Sequence, residues 1–172
     1  MNLNRTILKL QNNKSMNEIK IKLLNNKAKV PQKSTTEAAC YDLVITDIEY
    51  IKESYDRISQ VICSFGISMT PPEGYKIELA PRSSFSKTKW VLSNSPGQGD
   101  RDYQGEYKAI FNAIPTNIKN SILIYDKFPY EVGDRAIQMW LSKVNDISFN
   151  EVDELSKIES NRIGGFGSTG NK

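Results

Sequence analysis

The chain is 172 residues long, enough for one domain with a proper core and too short for two of ordinary size plus a linker. Its 23 Lys and Arg against 20 Asp and Glu leave a formal charge of +3, with no long basic block or Arg-aromatic array to track a backbone, so polymeric nucleic acid is not an expected partner. Histidine is absent, which excludes Ser-His-Asp and Cys-His nucleophile systems and His-bearing metal sites and leaves carboxylates for any proton transfer.

Residues 1–15 carry Arg5, Lys9 and Lys14 with no acid and several Asn, and read as a disordered extension rather than an organelle-targeting signal. Alternation begins after Met16 at Ile19-Lys20-Ile21-Lys22-Leu23, which predicts the first strand. A polar stretch then leads to Ala38-Ala39-Cys40-Tyr41-Asp42-Leu43-Val44-Ile45, small residues giving way to a strand with a carboxylate near its start. Residues 48–55 mix Glu and Lys with apolar residues and fit helix or strand equally. Residues 58–69 alternate as one run through Val61, Cys63, Phe65, Ile67 and Met69, and stop at Thr70-Pro71-Pro72-Glu73-Gly74. Residues 75–80 alternate again and end at Pro81-Arg82-Ser83-Ser84.

Trp90-Val91-Leu92 and Tyr107-Lys108-Ala109-Ile110-Phe111 are apolar runs flanking residues 97–106, a turn crowded with glycine, carboxylate and Tyr103 that reads as a hairpin tip carrying chemistry. Residues 121–125 and 135–141 are further strands, with a turn at residues 130–134 before the second. From Asn161 onward the tail is glycine-rich with one aromatic, a composition of mobile chain. Many short strands, regular turn signals and little helical periodicity predict an all-β fold, a β-sandwich or barrel-like domain with function on its loops. The organisation expected is an extension over 1–15, a β domain over 16–160 and a mobile tail over 161–172. Two cysteines, Cys40 and Cys63, are too few to staple a scaffold and read as reduced thiols of an intracellular protein, cytoplasmic or nuclear. No apolar run approaches the roughly 18 residues of a membrane span, so no membrane partner is expected.

The loops hold complementary chemistry. Arg82, Ser83 and Ser84 offer a guanidinium fork and two hydroxyls to phosphate oxygens. Residues 164–170 offer backbone N–H groups, two hydroxyls and a ring able to stack on a base. Asp42, Asp100 and Asp102 supply carboxylates for a hard divalent cation or a general base. Together they suit a nucleotide-hydrolysing site without histidine and without the Gly-rich Lys-Ser/Thr loop of common NTPases.

The order of these fragments resembles the trimeric dUTP pyrophosphatases, the dUTPases. Five motifs carry the likeness: Ala39-Cys40-Tyr41-Asp42-Leu43, Pro81-Arg82-Ser83-Ser84, residues 97–106, Gly133-Asp134-Arg135-Ala136-Ile137-Gln138, and residues 164–170. The resemblance implies a jelly-roll-like β fold, a homotrimer with a C-terminal arm and shared active sites, and hydrolysis of dUTP to dUMP and pyrophosphate with Mg2+. It implies Asp100 as the base for the attacking water and Tyr103 as the wall against a 2′-hydroxyl. Backbone around Gly99 would read the uracil edge, with Asn94 supporting the pocket. Arg82, Ser83, Ser84 and Gln138 would contact phosphates, and Asp42 would hold the metal through water. In the tail, Phe166 and Gly167 would cover the uracil while Ser168, Thr169 and Arg162 reach the phosphates. Three positions depart from the family pattern: Cys40 stands for a glycine, Gly99 for an aliphatic residue beside the base, and Arg162 lies one residue closer to the aromatic than usual. The competing expectation is a dUTPase-fold regulator that binds a protein partner in a nucleotide-dependent way, suggested by residues 45–60 and the N-terminal extension. A dCTP deaminase of the same fold is disfavoured by the Gly99-Asp100-Arg101-Asp102-Tyr103 turn and the Phe166-Gly167-Ser168-Thr169 tail.

Overall fold

Alternating apolar residues need a second layer to bury them, and two antiparallel sheets supply it. The computed structural model describes residues 17–52, 57–119 and 122–156. Its strands are β1 (Lys20–Leu23), β2 (Tyr41–Val44), β3 (Asp47–Lys52), β4 (Ile58–Ser64), β5 (Ile67–Thr70) and β6 (Tyr75–Pro81), then β7 (Trp90–Leu92), β8 (Gly97–Gly99), β9 (Lys108–Ala113), β10 (Asn117–Lys119), β11 (Ile122–Ile124) and β12 (Arg135–Lys143). One four-stranded sheet runs β2-β12-β6-β8 and the other β3-β4-β9-β7, with the small pairs β1-β5 and β10-β11 beside them. Among the described residues the only helical segment is a 3-10 turn over Ser83–Lys87. The expected all-β, jelly-roll-like class is therefore the observed one.

Both large sheets feed a single core. Ile77 and Leu79 of β6 and Ile137 and Met139 of β12 meet Val61 and Cys63 of β4 and Ala109 and Phe111 of β9, all buried. Each strand alternates inward and outward residues, so the period-2 pattern of the sequence is the signature of a sheet covered on one face.

Three local readings are refined. The ambiguous residues 48–55 hold the end of β3, paired to β4 from Asp47↔Ser64 to Lys52↔Ile58. The run 58–69 is two strands in different sheets, because Gly66 between them has φ +63 and takes the chain out of the ladder. A Cβ there would also press on Asn25 and Ala28, so alternation continues through a break that only glycine permits. The expected hairpin tip is likewise more than a tip. β7 does pair with β9, but Gly97–Gly99 leaves that sheet and joins the edge of the other one through β6.

Candidate functional site

The structure sorts the predicted site residues into two clusters on the β2-β12-β6-β8 sheet. The first gathers around Asp42, whose side chain is almost wholly buried on β2. Gln138 of β12 lies opposite it in register, and across from Ala80 of β6 on its other side. Arg82 follows β6 directly and sets its Nε 3.0 Å from Asp42 Oδ1, while Arg135 Nη1 lies 3.2 Å from Asp42 Oδ2. A buried carboxylate requires such partners, and here two guanidinium groups share it, so the trio keeps one net positive charge at a half-exposed surface. Arg82 is tied further by its N–H to the Ala136 carbonyl at 3.1 Å and by Nη1 to the Arg135 carbonyl at 3.4 Å. Gln138 Nε2 donates to the Pro81 carbonyl at 3.3 Å.

Ser83 and Ser84 are exposed and stand on the 3-10 turn. Phe85 fixes that turn: its ring is buried, stacked on Phe111 at 4.6 Å on one side and on Tyr130 at 4.8 Å on the other. Tyr130 completes the attachment, its hydroxyl 2.7 Å from Ser84 Oγ. The donors of Arg82, Ser83 and Ser84 are thus carried on a loop with an aromatic foot in the core, a preorganised arrangement for anionic oxygens.

The second cluster is the turn after β8. Asp100 is exposed at its start, and the Tyr103 N–H closes the turn onto the Asp100 carbonyl at 3.3 Å. Tyr103 Oη donates to the Glu106 carbonyl at 2.9 Å, and its ring meets Tyr107 edge-on at 5.6 Å. The far side is bolted to β5 and its approach, since Glu106 Oε1 accepts from the Gly66 N–H at 2.8 Å and Ser68 Oγ donates to the Gln104 carbonyl at 3.0 Å. The glycines follow from the tyrosines. A Cβ at Gly105 would lie 2.7 Å from Tyr103 Cζ, and one at Gly99 would lie 2.7 Å from Tyr107 Cε1 and fall on its hydroxyl. Beside the turn opens a cleft of about 580 Å³ lined by Leu92, Asn94, Gly97, Tyr103, Glu106 and Tyr107 among others.

This geometry corrects one expectation. Gly99 was expected to leave Asp100 without an apolar neighbour, but the Tyr107 ring occupies the space that a side chain at position 99 would take. Burial, and after it the charges of Tyr103 and Asp100, push the Tyr107 phenol up to about 12. Both cysteines are free, Cys40 half-buried and Cys63 buried.

Asp42, Arg82 and Gln138 come together, as do Asn94, Gly99, Asp100 and Tyr103, but the two groups stand apart. In the register, Ile137 faces Pro81 while Gly99 faces Ile77, so the base-bearing turn leaves β6 roughly 13 Å along the strand from the Arg82 end, at about 3.3 Å per residue. Arg162, Phe166, Gly167, Ser168 and Thr169 lie outside the described residues. Four contributors had no assigned role in the sequence: Arg135, Tyr130, Glu106 and Tyr107. Each sat in or beside a motif or turn already singled out, but nothing local marks that Arg135 meets Asp42, Tyr130 meets Ser84 and Glu106 meets Gly66 across 40 or more positions, or that the Tyr107 ring folds back against Gly99.

The dUTPase family model matches residues 26–170. A deoxyuridine 5'-triphosphate nucleotidohydrolase of Hydrogenobaculum sp. is 35% identical over 153 residues, covering 88% of this chain and 97% of the relative. The Finegoldia magna protein of the same name is 35% identical over 156 residues, with 88% and 99% covered. Among solved structures, the Staphylococcus bacteriophage 80alpha dUTPase with dUPNHPP superposes with a TM-score of 0.70 at 21% identity, covering 91% of this chain and all of that one, a likeness of fold.

Proposed function

The chain belongs to the dUTPase family, and from that premise we propose that it hydrolyses dUTP to dUMP and pyrophosphate, limiting uracil in DNA and supplying dUMP for dTMP synthesis. The observation that carries the reading is the closed turn that starts at Asp100 and brings Tyr103 to the wall of a cleft of about 580 Å³. Asp100 takes a proton from a water that attacks the α-phosphorus. The new P–O bond forms as the bond from Pα to the bridging oxygen breaks, and pyrophosphate leaves. No covalent nucleophile is needed, only position, charge neutralisation and one oriented water. The Tyr103 ring, held by Glu106 and Tyr107, walls the sugar side of the cleft, and backbone near Gly99 with Asn94 meets the base. Arg82, Ser83, Ser84 and Gln138 receive the phosphates.

Among the described residues no group of three or more His, Cys, Asp or Glu could hold a metal by itself. Mg2+ keeps most of its waters and rides on substrate phosphates, so it takes few ligands from the protein. Asp42, almost buried and paired with Arg82 and Arg135, is the carboxylate that would hold such an ion through water. When bound, the ion would spread the charge of the triphosphate.

The separation of Asp100 from Arg82 supports active sites shared between copies, as in a homotrimer, with the base of one chain facing the phosphate donors of another. Residues 161–172 would then close over the bound nucleotide as a lid, excluding bulk water. The test is pyrophosphate release by purified protein with Mg2+ from dUTP, dTTP, dCTP and UTP. Release from dUTP alone is expected, and no release from dUTP would overturn the reading.

A further inference from the structure

Tyr107 is 3% exposed, and its hydroxyl is one of two buried side-chain polar atoms without a hydrogen-bond partner among the described residues. Leaving a buried hydroxyl unpaired is costly, and a phenylalanine would pack the same ring without that cost. The ring is held edge-on against Tyr103, and the hydroxyl lies over Gly99, the residue before Asp100. Its charge environment is set by Tyr103 and Asp100, and the upward shift keeps the phenol protonated at any pH where the chain works, so it serves as a donor. A group that needs a donor, the Asp100 carboxylate, is carried by the residue next to Gly99.

We propose that Tyr107 is a positioning residue for Asp100, its hydroxyl donating to the Asp100 carboxylate when substrate is bound. The proposal rests on the reading of Asp100 as the base. Gly99 belongs to the same device: without a side chain there, the phenol can reach beneath the turn. Among the described residues the donor has no hydrogen-bond partner. In the filled site it fixes the carboxylate that aims the water, and such a bond to a charged group is worth a good part of a catalytic step.

Tyr107→Phe tests the hydroxyl while keeping the ring. The expected result is a kcat for dUTP lowered about tenfold, a KM within about twofold and a melting temperature equal to or above that of the wild type. A kcat equal to that of the wild type would overturn the proposal. The exchange Gly99→Ile with Tyr107→Leu refills the space without a hydroxyl. Its melting temperature should return toward that of the wild type relative to Gly99→Ile alone, while kcat stays as low as in Tyr107→Phe. Recovery of kcat in the double variant would show that volume, not the donor, matters, and would also overturn it. Absence of dUTP turnover by the wild type would overturn the functional reading and the positioning role together, whereas wild-type turnover with an unaltered Tyr107→Phe would overturn only the latter.

Discussion

Asp100 is exposed, so a change of function there should separate from a change of fold. Asp100→Asn should lower kcat by about 10²–10⁴, the range for a general base, while the melting temperature stays level. Steady-state kinetics beside a thermal melt check this, and an unchanged kcat would remove Asp100 from the mechanism. Two buried groups make a second prediction at this scale. Burial pushes the Cys63 thiol from 9.0 up to about 12, and burial with the Tyr103 and Asp100 charges pushes the Tyr107 phenol from 10.0 up to about 12. Both folded values exceed the unfolded ones, so the folded state binds more protons between them. Their contribution to stability is whole below about pH 9 and is lost as pH rises toward 12. Urea midpoints measured across that range should fall, and they should fall less steeply in Cys63→Ala or Tyr107→Phe. Of the residues that matter at this scale, Asp42, Arg82, Asp100, Tyr103 and Gln138 were legible as motif members. Arg135 was legible as a motif member but not as a partner of Asp42, and Tyr107 was not legible at all, because both roles arise from partners brought near by the fold.

At the scale of elements, the loop after β6 shows how a core residue serves a surface site. Phe85 stacks between Phe111 and Tyr130, and Tyr130 holds Ser84, so the donors of the loop inherit the rigidity of the core. Phe85→Ala should destabilise by about 3–4 kcal/mol through the cavity it leaves, and should raise KM more than it lowers kcat, since the loop would still carry its donors but no longer hold them in place. Denaturant unfolding and kinetics on one preparation would decide it; a KM equal to that of the wild type would mean the loop is positioned by other means. Strand existence was readable from alternation along β1, β4, β6 and β12, because one covered face imposes period 2. Sheet membership was not. Gly66 divides an unbroken pattern into β4 and β5, and Gly97–Gly99 carries β8 away from its neighbours in sequence to β6. Nothing in three residues of glycine and glutamine specifies a partner strand.

At the scale of the whole molecule, the distance between the Arg82 and Asp100 ends of β6 becomes a prediction about assembly. Mixed oligomers of Asp100→Asn and Arg82→Ala chains, formed by refolding inactive pure preparations together, should recover activity at about a quarter of the sites for equal mixing, if base and phosphate donors come from different copies. Pyrophosphate release from the mixture, with the size of the particle measured by light scattering, checks it. A mixture as inactive as its parents would place both residues in one copy's site.

The sequence by itself determined the chemistry on offer and the class of fold. It has no histidine, so carboxylates and guanidinium groups are left to act, and its alternation demands two sheets around one core. These are local properties, set by residue type and by the period of the backbone. Only the tertiary structure decided which strands neighbour each other, that Asp42 is occupied by two arginines, and that Tyr107 lies beneath the base-bearing turn. The strand order and the Asp42 ion pairs join residues far apart in the chain, and long-range packing selects them among alternatives that local pattern leaves equal in energy. The turn at Gly99 shows the division most plainly: its glycine reads in the sequence as a missing neighbour, and in the fold as the room made for one.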